Sequence, residues 1–111
     1  MTPAQILAGA ADLIAARGKC DDGRYRDDAG RLCAIGAMRE VVFGDAYAGP
    51  CDDHRTAVDP ATTAYVMARR ALEARLPAPS VTYWSDMHPA EVVVAKLRAT
   101  AAELETSGAP A

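Results

Sequence analysis

A chain of 111 residues, half of them apolar, is one domain's worth and is long enough to bury a core without metals or disulfides. It holds one Phe and one Trp, and alanine, the best helix former, carries much of its apolar count, which argues for helix packed on helix rather than a β-sandwich. Twelve Lys and Arg against fifteen Asp and Glu give a net charge of −3 with no basic run, so nucleic acid is not the default partner; no stretch approaches ~18 uninterrupted apolar residues, so no membrane span is expected.

Thr2-Pro3-Ala4-Gln5 is a capping box with Pro at the first helical position. Ile6, Leu7, Ala10, Leu13 and Ile14 follow on one helical face, and Gly18 supplies a left-handed stop. Residues 19–32 are polar. Two Asp-Asp pairs, each followed within two residues by Gly, read as turns, and Arg24-Tyr25-Arg26 between them reads as one arm of a small β-hairpin. A second helix is expected from Cys33 to Phe43, with Ile35, Met38, Val41 and Val42 as its stripe and Gly44 as its stop. Gly36 inside it costs up to ~1 kcal/mol relative to alanine and marks a close helix–helix approach.

Residues 44–58 form the longest loop. Asp59-Pro60 then opens a third helix, with Tyr65, Ala68, Leu72 and Leu76 on its buried face, Arg69, Glu73 and Arg75 off that line, and Pro77 at its end. Val81-Thr82-Tyr83-Trp84 reads as a β-favouring or irregular link. Pro89 starts a fourth helix, with Val93, Leu97, Ala101 and Leu104 as its stripe. The expectation is a mainly α, four-helix domain over residues 1–105 with a frayed tail at 106–111.

The run Gly30-Arg31-Leu32-Cys33-Ala34-Ile35-Gly36-Ala37, then Tyr83-Trp84-Ser85-Asp86, then Glu91-Val92-Val93, carries a resemblance. These elements resemble a family of small actinobacterial and phage proteins known as domain of unknown function 6197, which reads G-R-x-C-A-x-G-A, a helix, W-N-D, and a last helix containing E-V. Ser85 stands where that family usually has Asn, and His88 stands near a position usually held by Thr. The resemblance implies a fold and a phage or actinobacterial source, and it implies no activity.

Three constellations bear on chemistry. Cys20, Cys33, Cys51 and His54 make a Cys3His set, with the knuckle spacing Cys51-x-x-His54, so zinc competes with the reading of Cys33 as a small core residue. Cys33 at a helix start has a thiol whose pKa the dipole lowers; His54 or His88 would be its base and Asp86 would orient that base. Arg31 and Asp86 sit beside two helix starts and are expected to pair; the alternative is an anionic ligand on Arg31.

The bland readings win in each case. No family-specific nucleophile signature surrounds Cys33, and Cys20 and Cys33 make no tight metal pair in sequence. The aspartates of residues 21–28 lack the register of a calcium loop, and Glu73 interrupts Arg69, Arg70 and Arg75. Trp84 reads as a core anchor, whereas Tyr25, Tyr47 and Tyr83 lie in loops and, with Arg31, are the candidate contact residues.

Three cysteines, an odd count, and an N-terminus without a cationic lead point to the cytoplasm. The expected function is that of an accessory or regulatory protein that binds a protein partner, without catalysis, metal or cofactor. The rival is a cysteine- or metal-dependent enzyme centred on Cys33. Val92, Val93 and Val94 are consecutive and cannot all face one core, so a homodimer through the last helix is the sharper of two ways to cover them.

Overall fold

The computed structural model describes residues 1–49, 59–77 and 80–107, with no account of the Ser107 side chain. Among these lie five helices: α1 (Pro3–Arg17), α2 (Ala34–Phe43), α3 (Pro60–Glu73), α4 (Val81–Asp86) and α5 (Ala90–Ser107).

Local chemistry sets most of the ends. The Gln5 amide donates to Thr2 Oγ1 (3.1 Å) and the Thr2 amide to Gln5 Oε1 (2.9 Å), closing the capping box of α1. Gly18 ends that helix at φ +94° and ψ 166°, an extended conformation open only to glycine rather than the left-handed helical turn expected. Gly44 does adopt the left-handed turn after α2. Asp59 caps α3 through the Thr62 amide (2.8 Å), with Pro60 next.

Two expectations fail. Val81 to Trp84 is helical: Ser80 Oγ accepts the Tyr83 amide (3.1 Å), and Val81 and Trp84, three positions apart, are both buried. A cap and two core contacts outweigh the β-propensity of the run. The hairpin in residues 19–32 is also absent, and no strand occurs among the described residues. A single antiparallel bridge joins Arg26 to Leu32. Asp27 Oδ1 accepts the amides of Ala29 and Arg31, so the turn consumes the residues a ladder would need.

The long helices α1 and α5 pack together, and α2 lies against α1. Ile6, Leu7 and Ile14 of α1, Met38 of α2, Tyr65 and Leu72 of α3, and Val93 and Leu97 of α5 are among the largest buried side chains. Trp84 is in the core, as expected of an anchor. The helix α5 continues to Ser107, past the expected fraying point. Two arginines depart from the expected pattern: Arg39 and Arg69 are both buried. No described helix is long and apolar enough to cross a membrane.

Candidate functional site

The run from Gly30 to Ala37 joins the polar segment to α2. Gly30 turns the chain at φ +84°. Arg31 Nε donates to Asp27 Oδ2 at 2.7 Å, and the Arg31 amide donates to Oδ1 at 2.9 Å. Burial alone would raise the Asp27 pKa; the hydrogen bonds from Arg31 and the Ala29 amide outweigh it and hold the carboxyl below its ordinary value. Arg31 therefore pairs with Asp27, four positions back, and not with Asp86 as expected.

Cys33 is the N-cap of α2. Its sulfur accepts the Gly36 amide (3.3 Å), its own amide donates to the Tyr25 carbonyl (3.2 Å), and Ser85 Oγ accepts the Ala34 amide (3.1 Å). Ser85 is fully buried and ties α4 to the start of α2 across more than fifty residues. Gly36 has no room for a side chain, because a Cβ there would meet the Tyr25 backbone. The close approach expected of this glycine is real, but the partner is the loop carbonyl rather than a second helix.

The electrostatics reverse the expectation for Cys33. The Gly36 and Ile35 amides pull its pKa down, as a helix start should, yet burial dominates and pushes the thiol up to about 11. Cys20, also buried, is raised as well, first by burial and then by Asp22, Asp27 and Asp86. Burial and the Asp21 and Asp22 carboxylates raise the pKa of Asp86, while Lys19 and the Gly23 amide pull it down. Both thiols are protonated at neutral pH, in an acidic surrounding that disfavours thiolate.

Of the two postulated bases, His88 is engaged by Trp84. His88 Nδ1 is 2.8 Å from the Trp84 carbonyl oxygen, and its ring stacks on the indole with centroids 4.7 Å apart. Cys51 and His54 lie outside the described residues. Among the described residues, no group of three His, Cys, Asp or Glu side chains is arranged to hold a metal ion.

Tyr25 and Tyr47 stack on each other at 5.5 Å. The Tyr47 hydroxyl donates to the Arg26 carbonyl (3.0 Å) and accepts the Arg26 amide (3.3 Å), and the Arg26 guanidinium lies over the Tyr47 ring and pairs with Asp45 (3.2 Å). The buried Arg39 sits 5.2 Å from both the Tyr25 and Tyr65 ring centroids and donates to the Ala48 carbonyl (2.8 Å). Tyr25 and Tyr47 are thus engaged in tying the polar segment to the chain after α2. Tyr83 lies elsewhere, on α4, 53% exposed, with Met87 at 63% and Val92 at 40% close behind it in sequence. The sequence reading missed Ser85, Arg39 and Met87; the spacing of Ile35, Met38, Arg39 and Val42 (i, i+3, i+4, i+7) is the signal that puts Arg39 on the core face.

The chain belongs to the family of unknown function DUF6197, whose model matches residues 1–103. No curated protein and no solved structure matches it.

Proposed function

We propose that this chain is an accessory or regulatory protein, of the phage and actinobacterial kind its motifs resemble, that acts in the cytoplasm by binding another protein rather than by catalysis. One observation carries the reading. Among the described residues six large apolar side chains are exposed, and three of them, Tyr83, Met87 and Val92, fall within the ten positions from α4 to the start of α5. Tyr83 and Met87 are four apart on one helical turn, closed by the Met87 amide on the Tyr83 carbonyl (3.2 Å), so they share a face. Tyr and Met are enriched at the desolvated centres of interfaces. The raised pKa values of Cys20 and Cys33 lend the rival enzyme no support.

A photo-crosslinking side chain placed at position 87 in producing cells tests this. A discrete adduct is expected, absent when the same probe replaces Arg70, which is exposed on α3. An adduct with a second copy of the chain identifies the partner as the chain itself, the homodimer expected from the valine triplet; Val93 and Val94 are buried within the chain, leaving Val92 as the outward member. Equal, diffuse labelling from both positions overturns the proposal.

A further inference from the structure

Cys20 and Cys33 are thirteen positions apart in sequence, but the backbone sets them side by side. The Leu32 amide donates to the Gly18 carbonyl (3.1 Å), and the Cys20 amide donates to the Leu32 carbonyl (3.3 Å). The carbonyl that accepts the Cys20 amide belongs to the residue directly before Cys33, so the backbone at Cys20 runs alongside the backbone at Cys33. Both side chains belong to the one buried core cluster. Both are buried, and both are free thiols. Extended backbones joined by such a hydrogen bond lie about 4.8 Å apart, inside the roughly 4.4–6.8 Å that a disulfide spans between Cα atoms. Cys20 is also among the groups whose charge disfavours the Cys33 thiolate, which agrees with their closeness.

We propose that Cys20 and Cys33 are a redox pair that closes to an intramolecular disulfide on two-electron oxidation and clamps the 19–32 segment onto the start of α2. The oxidant is a low-molecular-weight disulfide. Cys20 precedes the exposed residues Asp21 to Arg24, so opening of that segment uncovers it first. Its thiol loses a proton, and the thiolate attacks one sulfur of the reagent; the reagent S–S bond breaks and one reagent thiolate leaves. The Cys33 thiolate then attacks the Cys20 sulfur of the mixed disulfide and the second reagent thiolate leaves. The two protons given up by the cysteines end on the two reagent thiols, and two electrons have passed to the reagent.

The contacts given up are modest. The Cys20 thiol donates to the Arg24 carbonyl (3.0 Å), a bond the disulfide loses, whereas the Cys33 sulfur accepts from the Gly36 amide and keeps its lone pairs. Burial keeps both thiols protonated and shielded, so the pair stays reduced in a reducing compartment and responds only when the segment opens under oxidising conditions.

The test uses the full chain with Cys51→Ser, which removes the third thiol. The protein is equilibrated in buffers of rising oxidised-to-reduced glutathione ratio, quenched in acid, unfolded, alkylated and weighed. The expected product escapes alkylation at both sites, yields a linked Cys20–Cys33 peptide, and melts higher by on the order of 5–10 °C, with the rise abolished by dithiothreitol and absent in Cys20→Ser. Refolding from denaturant in the same buffers removes burial as a kinetic obstacle. Two alkylated cysteines at the most oxidising ratio after that refolding, or separate glutathione adducts on each sulfur, overturn the proposal.

Discussion

Replacing Gly36 with alanine sets two effects of known sign against each other. Alanine in a helix interior gains up to ~1 kcal/mol over glycine. At this position the added Cβ would lie 2.7 Å from the Tyr25 carbonyl carbon and would overlap its oxygen. Backbone cannot swing aside as a flexible side chain does, so the 19–32 segment must move, at the ~1–3 kcal/mol typical of overpacking. That movement also pulls the Tyr25 carbonyl from the Cys33 amide, now bonded at 3.2 Å, and strands a helix-start donor for roughly another 1–3 kcal/mol. The balance is a loss of about 3 kcal/mol, or on the order of 10 °C in melting midpoint, read by urea and thermal denaturation. Gly9→Ala is the matched control. Its Cβ would meet only the methyls of Val41, at 3.2 and 3.3 Å, and a small adjustment there leaves stability within ~1 kcal/mol of the wild type. A Gly36→Ala protein as stable as the wild type would show that the loop carbonyl does not press on α2, and the reasoning would fall.

Ser85→Ala removes the acceptor of the buried Ala34 amide, so urea unfolding should show a loss of ~1–3 kcal/mol, and an unchanged midpoint would mean that another acceptor serves that amide. Asp86→Asn should act through pH. The folded carboxyl titrates above its ordinary value of 3.8, chiefly through burial, so the unfolded chain gives up its proton first and the wild type loses stability as pH rises from about 3.8 through the folded value. The variant lacks that loss: its melting midpoint should exceed the wild type's at pH 7, with the gap closing by pH 3. A gap independent of pH, or a weaker variant at pH 7, counts against the assignment.

What was legible in the sequence follows the range of the interaction. Thr2 with Gln5, Gly44, and Asp59 with Pro60 act within four residues, so composition and spacing place α1, the end of α2 and the start of α3. The helix α4 was misread because its β-favouring residues are overruled by Ser80 and by core contacts of Val81 and Trp84 that no local pattern displays. The partner of Arg31 differs from the expected Asp86 for a related reason: the Gly30 turn folds the chain back on Asp27. Arg39 was passed over because a charged residue was not weighed as a core residue, although its spacing is that of one.

The same residues change what the family-like run means. Read as identities, Arg31, Cys33 and Asp86 suggest chemistry. In place, Gly30 makes the turn, Arg31 closes it on Asp27, Leu32 fills the core, Cys33 caps α2, Ala34 bonds Ser85, and Gly36 admits the Tyr25 carbonyl. Each of these contacts is made inside the chain, and each keeps the 19–32 segment, α2 and α4 in one arrangement. A run used in this way specifies a scaffold, and what it holds outward is the short helix α4 with Tyr83 and Met87 on its exposed side. On the proposed binding function, recognition rests on Tyr83, Met87 and Val92, which are exposed while Val81, Trp84 and Ser85 beside them are buried, so sequence change at those three alters the partner at little cost to stability, whereas change in the run from Gly30 to Ala37 alters stability first.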